Sequence, residues 1–298
     1  MMYKKCPVFL LSGFLFIFLA YPSENMAASE TSQKEKEPEV ISLLGKKLYA
    51  TPAVGEELLK LRDELREAVK KVEANPEDPE NIIMYGRRLA YLWRYHKAID
   101  VYSKGIEKFP EYAMLYRHRG HRYISVRQFD RAVADLTRAS ELNDHDFDIW
   151  YHLGLAHYLK GEFQQALNAY RNCMKVAEND DSKIAISNWL SITLRRLGKE
   201  DDALRVLDGI REGMEVEENQ SYYDLLLFYK GQKTEAEISA MAEALDVNMA
   251  TIGYGVGCWY LYNSQKEKAV VYFKKIVGGK YWPAFGFIAA EAELARMK

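Results

Sequence analysis

Three registers in this chain share one period. Gly86, Gly120 and Gly154 stand 34 residues apart, Ala98, Ala132 and Ala166 keep the same step, and Tyr102, Leu136 and Tyr170 repeat it again. Within each unit the alanine follows the glycine by twelve positions and the bulky residue by sixteen. A unit of this length cannot bury its apolar face alone, so successive copies must stack. Strand signals are nearly absent from residue 56 onward. Apolar residues recur instead at spacings of three and four, as in Leu58, Leu61, Leu65, Val69 and Val72, the mark of an amphipathic helix. Each unit therefore reads as two helices joined by a tight turn. The glycine lets the first helix approach closely and the alanine does the same from the second.

The third unit carries Trp150, Leu153 and Gly154 in "WYHLG", with Ala166 and Tyr170 downstream. The first carries Gly86, Leu89, Ala98, Tyr102 and Pro110, and the second Tyr116, Gly120, Tyr123 and Ala132. In these residues the chain resembles the tetratricopeptide repeat family. Beyond residue 180 the pattern thins: the alanine recurs as Ala203, Ala236 and Ala269, while the glycine place reads Ser191, Asp224 and Gly257. The resemblance implies an all-α fold, a right-handed superhelical α-solenoid of helix-turn-helix hairpins. The domain reading is three well-matched units over 79–180, three divergent ones over 181–280, an N-terminal capping helix over 56–78 and a C-terminal capping helix over 281–298.

Upstream lies a targeting segment. Lys4 and Lys5 precede the apolar run Val8–Ala20, which as a helix spans about 20 Å against the roughly 30 Å of a bilayer core. Residues 1–27 thus read as a secretory signal, with an uncleaved anchor as the alternative, and 28–55 as a flexible polar linker. An exported protein, periplasmic or secreted, with no stable membrane span is expected. Of the cysteines, Cys173 and Cys258 lie in the repeat region; both are expected free and buried, because a pair so far apart is no disulfide framework. The net charge of −2 argues against nucleic acid as a partner.

No metal, cofactor or catalytic motif emerges. The cluster "RHRGHR" (117–122) lacks the further ligands that tetrahedral zinc requires. His118 and His152 occupy equivalent repeat places, so only a metal shared between neighbouring helices is conceivable. In "NDHDFD" an EF-hand would need glycine and glutamate where Ile149 and Leu155 stand, so the stretch reads as a loop with a helix-capping carboxylate. The expectation is a non-catalytic scaffold without cofactors. In the resembled family, inward-facing residues of the first helices bind peptides; here those places hold Arg87, Tyr91, Arg117, His121, Tyr151 and Tyr158. Cationic and aromatic groups of this kind suit a peptide or protein partner with acidic or carboxylate groups. The lysine and asparagine of the family's carboxylate-clamp subset are replaced by Ile83 and Arg87, so that specificity is not implied. The alternative is a module for a non-protein ligand, a glycan or a metal. Arg119, at a usually apolar place, is expected to pack its stem and reach an acidic neighbour.

Overall fold

The computed structural model describes residues 37–298 apart from Pro52; the segment read as a signal lies outside them. Six hairpins follow one another: α2 (Pro79–Tyr91) with α3 (Tyr95–Lys108), α4 (Ala113–Ser125) with α5 (Phe129–Leu142), α6 (Phe147–Lys160) with α7 (Phe163–Lys175), α8 (Asp180–Arg196) with α9 (Glu200–Asp208), α10 (Gln220–Tyr229) with α11 (Glu235–Glu243), and α12 (Asp246–Tyr262) with α13 (Lys266–Gly278). A helix precedes them, α1 (Gly55–Ala74), and one follows, α14 (Phe285–Arg296). Within the stretch read as a linker, β1 (Val40–Ile41) pairs antiparallel with β2 (Lys47–Leu48). Val40 and Leu48 are buried there, so a short apolar alternation escaped a reading dominated by polar composition.

The repeat glycines work by contact. A Cβ on Gly86 or Gly154 would collide with the ring of Tyr102 or Tyr170, one on Gly120 would lie 2.7 Å from Leu136, and one on Gly257 2.5 Å from Phe273. In each case the colliding residue is the one sixteen places later. The two registers are thus one lock, a bulky side chain of the second helix seated on bare backbone of the first. Ala98, Ala132, Ala166, Ala203 and Ala269 are all fully buried. Ala236 is not: it is exposed, and Ile238 fills the interior instead. Thr234 and Glu237 form a capping box that starts α11 late, and this shifts the buried face by two residues.

Another register, stepping by 33 to 37 residues, appears only in the backbone. Trp93, Arg127, Gly161, Gly198, Gly231 and Ser264, one in each hairpin turn, all have positive φ. Glycine fits this conformation freely, whereas other residues are disfavoured by roughly 1–2 kcal/mol. The tryptophan and arginine are held there by what their side chains touch, as described below.

The first helices of consecutive hairpins pack side by side along an inner face, α2 on α4, α4 on α6, α6 on α8, α8 on α10 and α10 on α12. The winding is tight enough that α12 also meets α8, and α14 reaches back to α6. The C-terminal segment is anchored by a fully buried ion pair between Arg127 and Glu291 (2.9 Å), by Arg196 to Glu293 (3.4 Å), and by Arg296 donating to the Leu159 carbonyl (3.0 Å). Trp282 stacks edge-on against Trp93 and Tyr95 and donates to the Tyr49 carbonyl (2.9 Å).

Candidate functional site

The inner face divides into a filled part and an open part. In the filled part Tyr158 is wholly buried, its hydroxyl 2.8 Å from that of Tyr254 on α12. Tyr151 is buried too; its hydroxyl accepts from Trp189 Nε1 at 2.8 Å. Both were expected on an open groove. The physical reason they are not is that later helices occupy the concave side: α12 covers Tyr158, while Trp189 on α8 and Tyr222 on α10 close over Tyr151. Phe285, the first residue of α14, closes the boundary: its ring lies 5.2 Å from His121, 5.7 Å from His152 and 6.4 Å from Tyr151.

In the open part Arg87, Tyr91, Arg117 and His121 line one cavity of about 380 Å³ between α2, α4 and α6, together with His118 and Arg122. Arg87 donates to the Tyr91 hydroxyl at 3.1 Å, and both residues are exposed. Arg117 crosses from α4 to pair with Asp148 on α6. Its Nη1 also sits 3.1 Å from a ring nitrogen of His118, which therefore has to be the neutral acceptor. Of the basic lining residues, His118 and Arg122 were absent from the sequence-based set. They lie four apart on α4 and hence on one helix face, a spacing that could have disclosed them.

The histidines meet differently from the repeat equivalence. His121, rather than His118, lies against His152, the rings tilted by 36° with centroids 4.2 Å apart, while His118 stacks on Tyr102 at 5.7 Å. Burial, then the charges of Arg117, Arg122 and Arg87, push the His118 pKa down to about 2. Burial and then Arg122 lower His121, and burial and then Arg117 lower His152. The guanidinium groups beside these rings also repel a metal cation. Among the described residues no group of three or more His, Cys, Asp or Glu is placed to hold a metal ion.

The remaining motifs are structural. Arg119 makes a two-pronged pair with Asp135 (2.7 and 2.8 Å) and donates to Ser103 Oγ at 3.0 Å. Asp146 caps α6 by accepting from the Ile149 N–H at 2.9 Å, as the loop reading of "NDHDFD" required. Cys173 and Cys258 are free and fully buried.

A tetratricopeptide repeat family model matches residues 118–172, from the middle of α4 through most of α7. Small glutamine-rich tetratricopeptide repeat-containing protein 2 of Saccharomyces cerevisiae is 29% identical over 129 residues, covering 41% of this chain and 37% of the yeast protein. Serine/threonine-protein phosphatase 5 of Rattus norvegicus is 28% identical over 159 residues, covering 47% of this chain and 32% of the rat protein. The chain thus spans about a third of the length of these relatives. Among solved structures, the APC/C hetero-tetramer Cut9-Hcn1 superposes with a TM-score of 0.50 at 16% identity, covering 74% of this chain and 37% of the matched one; this is a likeness of fold. The described residues form an all-α solenoid of tetratricopeptide-type hairpins.

Proposed function

We propose that this protein is an exported, non-catalytic scaffold that binds a segment of another protein on the inner face of its first hairpins. The observation that carries the reading is the open cavity between α2 and α4, where Arg87 and Tyr91 remain exposed while α12 and α14 fill the inner face further along. Guanidinium groups beside an exposed phenol suit a segment bearing acidic or carboxylate groups. Export rests on Lys4, Lys5 and the apolar run Val8–Ala20.

A photo-crosslinking residue placed at position 91 tests the groove. A protein adduct is expected from the extracytoplasmic fraction, and its yield should fall at least fivefold when Arg117→Ala and His121→Ala are combined. An unchanged yield in that double variant, with the fold intact by circular dichroism, would refute the groove assignment. N-terminal sequencing of the native protein tests export: a start near Ala28 is expected, and an intact Met1 in the cytoplasmic fraction overturns it.

A further inference from the structure

The cavity on the inner face holds more positive charge than its surroundings neutralise. Arg122 has protein around it on all sides, yet part of its surface still faces the cavity. Its guanidinium makes no ion pair or hydrogen bond among the described residues and lies 5.3 Å from the centre of the Tyr95 ring. Among the described residues the Arg87 guanidinium bonds only to neutral partners, the Tyr91 hydroxyl at 3.1 Å and the Met84 sulfur at 3.9 Å. Arg117 is paired with Asp148 through Nη2, but its Nε is buried without an acceptor. The other carboxylate of the lining, Glu80, is exposed at the rim and accepts from the Tyr112 hydroxyl. All three arginines act on one imidazole, His118, so their charges converge on the same space.

A cation held in a protein interior without a counter-charge is disfavoured, and so is a buried N–H without an acceptor. An anion in the cavity relieves the first of these at Arg122, part of whose surface faces it. With Arg117 matched by Asp148, two guanidinium groups of the lining remain without a carboxylate partner, the exposed one of Arg87 on α2 and the enclosed one of Arg122 on α4. A planar monoanionic carboxylate matches only one of them. A phosphate group carries about two negative charges near neutral pH and presents oxygens in three directions. We propose that this cavity is a phosphate-binding site, with Arg122 and Arg87 as charge partners. The phosphate is either free or borne as an ester by the bound segment; only the ester case rests on the partner reading above.

Calorimetry on the full chain with three probes, inorganic phosphate, phenyl phosphate and acetate, tests this. Inorganic phosphate or phenyl phosphate should bind at least tenfold more tightly than acetate, and Arg122→Met should weaken the phosphate binding at least tenfold. Because Arg122 is enclosed, Arg87→Met, at an exposed residue, is the second variant and should also weaken it at least fivefold. Tighter binding of phenyl phosphate assigns the site to an ester, and tighter binding of inorganic phosphate assigns it to the free ion. No phosphate binding, equal binding of acetate, or phosphate binding indifferent to both variants overturns the proposal. No partner protein is present in this measurement, so the partner reading stands or falls separately.

Discussion

Gly286→Ala isolates the seating of the C-terminal helix. A Cβ at this position would fall well inside the van der Waals radius of the Ala250 carbonyl oxygen on α12. The obstacle is backbone, so no side chain can rotate out of the way, and α14 must move by on the order of 1 Å. Such a movement disturbs the buried Arg127–Glu291 pair, which stands at 2.9 Å with both side chains almost completely enclosed. Overpacking alone costs about 1–3 kcal/mol and breaking a buried pair about 3–5 kcal/mol. A loss of at least about 3 kcal/mol is therefore expected, or a fall in apparent Tm of about 6–12 °C for a chain of this size. Thermal unfolding followed by far-ultraviolet circular dichroism measures it. Gly278→Ala is the internal control, since a Cβ there meets nothing within 4 Å and should leave Tm unchanged or slightly higher. If Gly286→Ala shifts Tm by no more than the control does, α14 is not locked against α12 and the filled inner face is wrongly described.

Glu291→Leu leaves Arg127 enclosed without its carboxylate and should cost about 3–5 kcal/mol in urea unfolding; combining it with Arg127→Met should cost clearly less than the sum of the single changes, and strict additivity would deny the coupling. Acidification should destabilise the fold from about pH 6.5 downward. His118, His121 and His152 have folded pKa values below the unfolded value, so the unfolded chain takes up protons first and stability is lost as pH falls, at up to about 1.4 kcal/mol per pH unit for each histidine. Urea midpoints between pH 7.5 and 5 report that slope, and His118→Gln should flatten it; an unaltered slope contradicts the burial of this ring. Cys173 and Cys258 have thiol pKa values raised chiefly by burial, so a thiol reagent should label neither in the folded protein and both after denaturation.

The parts of the molecule legible in the sequence were those with local, periodic causes. The periods of the glycine and of the residue sixteen later could be read, though not their contact within one hairpin, and so could the cap at Asp146 and the bond from Arg119 to an acid. The candidate site was read in part. Arg87, Tyr91, Arg117 and His121 do share a cavity, because repeat register alone places them on one face. Arg122 escaped notice because nothing in sequence says that an arginine lacks a carboxylate. Ala236 misled because a two-residue slip in the start of α11 leaves the alanine spacing intact while turning its face outward.

By itself, then, the sequence determined the hairpin, its period and the stacking that follows, since each depends on contacts within one unit or between neighbours. Only the tertiary structure decided what faces the hollow. Tyr151 and Tyr158 occupy the same kind of repeat position as groove residues, yet residues 38 to 96 places later in the chain, Trp189, Tyr222 and Tyr254, seal them. The positive φ at Trp93 and Arg127 follows the same logic: the turn register is local, but the side chains tolerated there are those gripping Trp282 and Glu291. Periodicity records the contacts that recur; closure of the inner face by the last helix happens once, and so leaves no period to read.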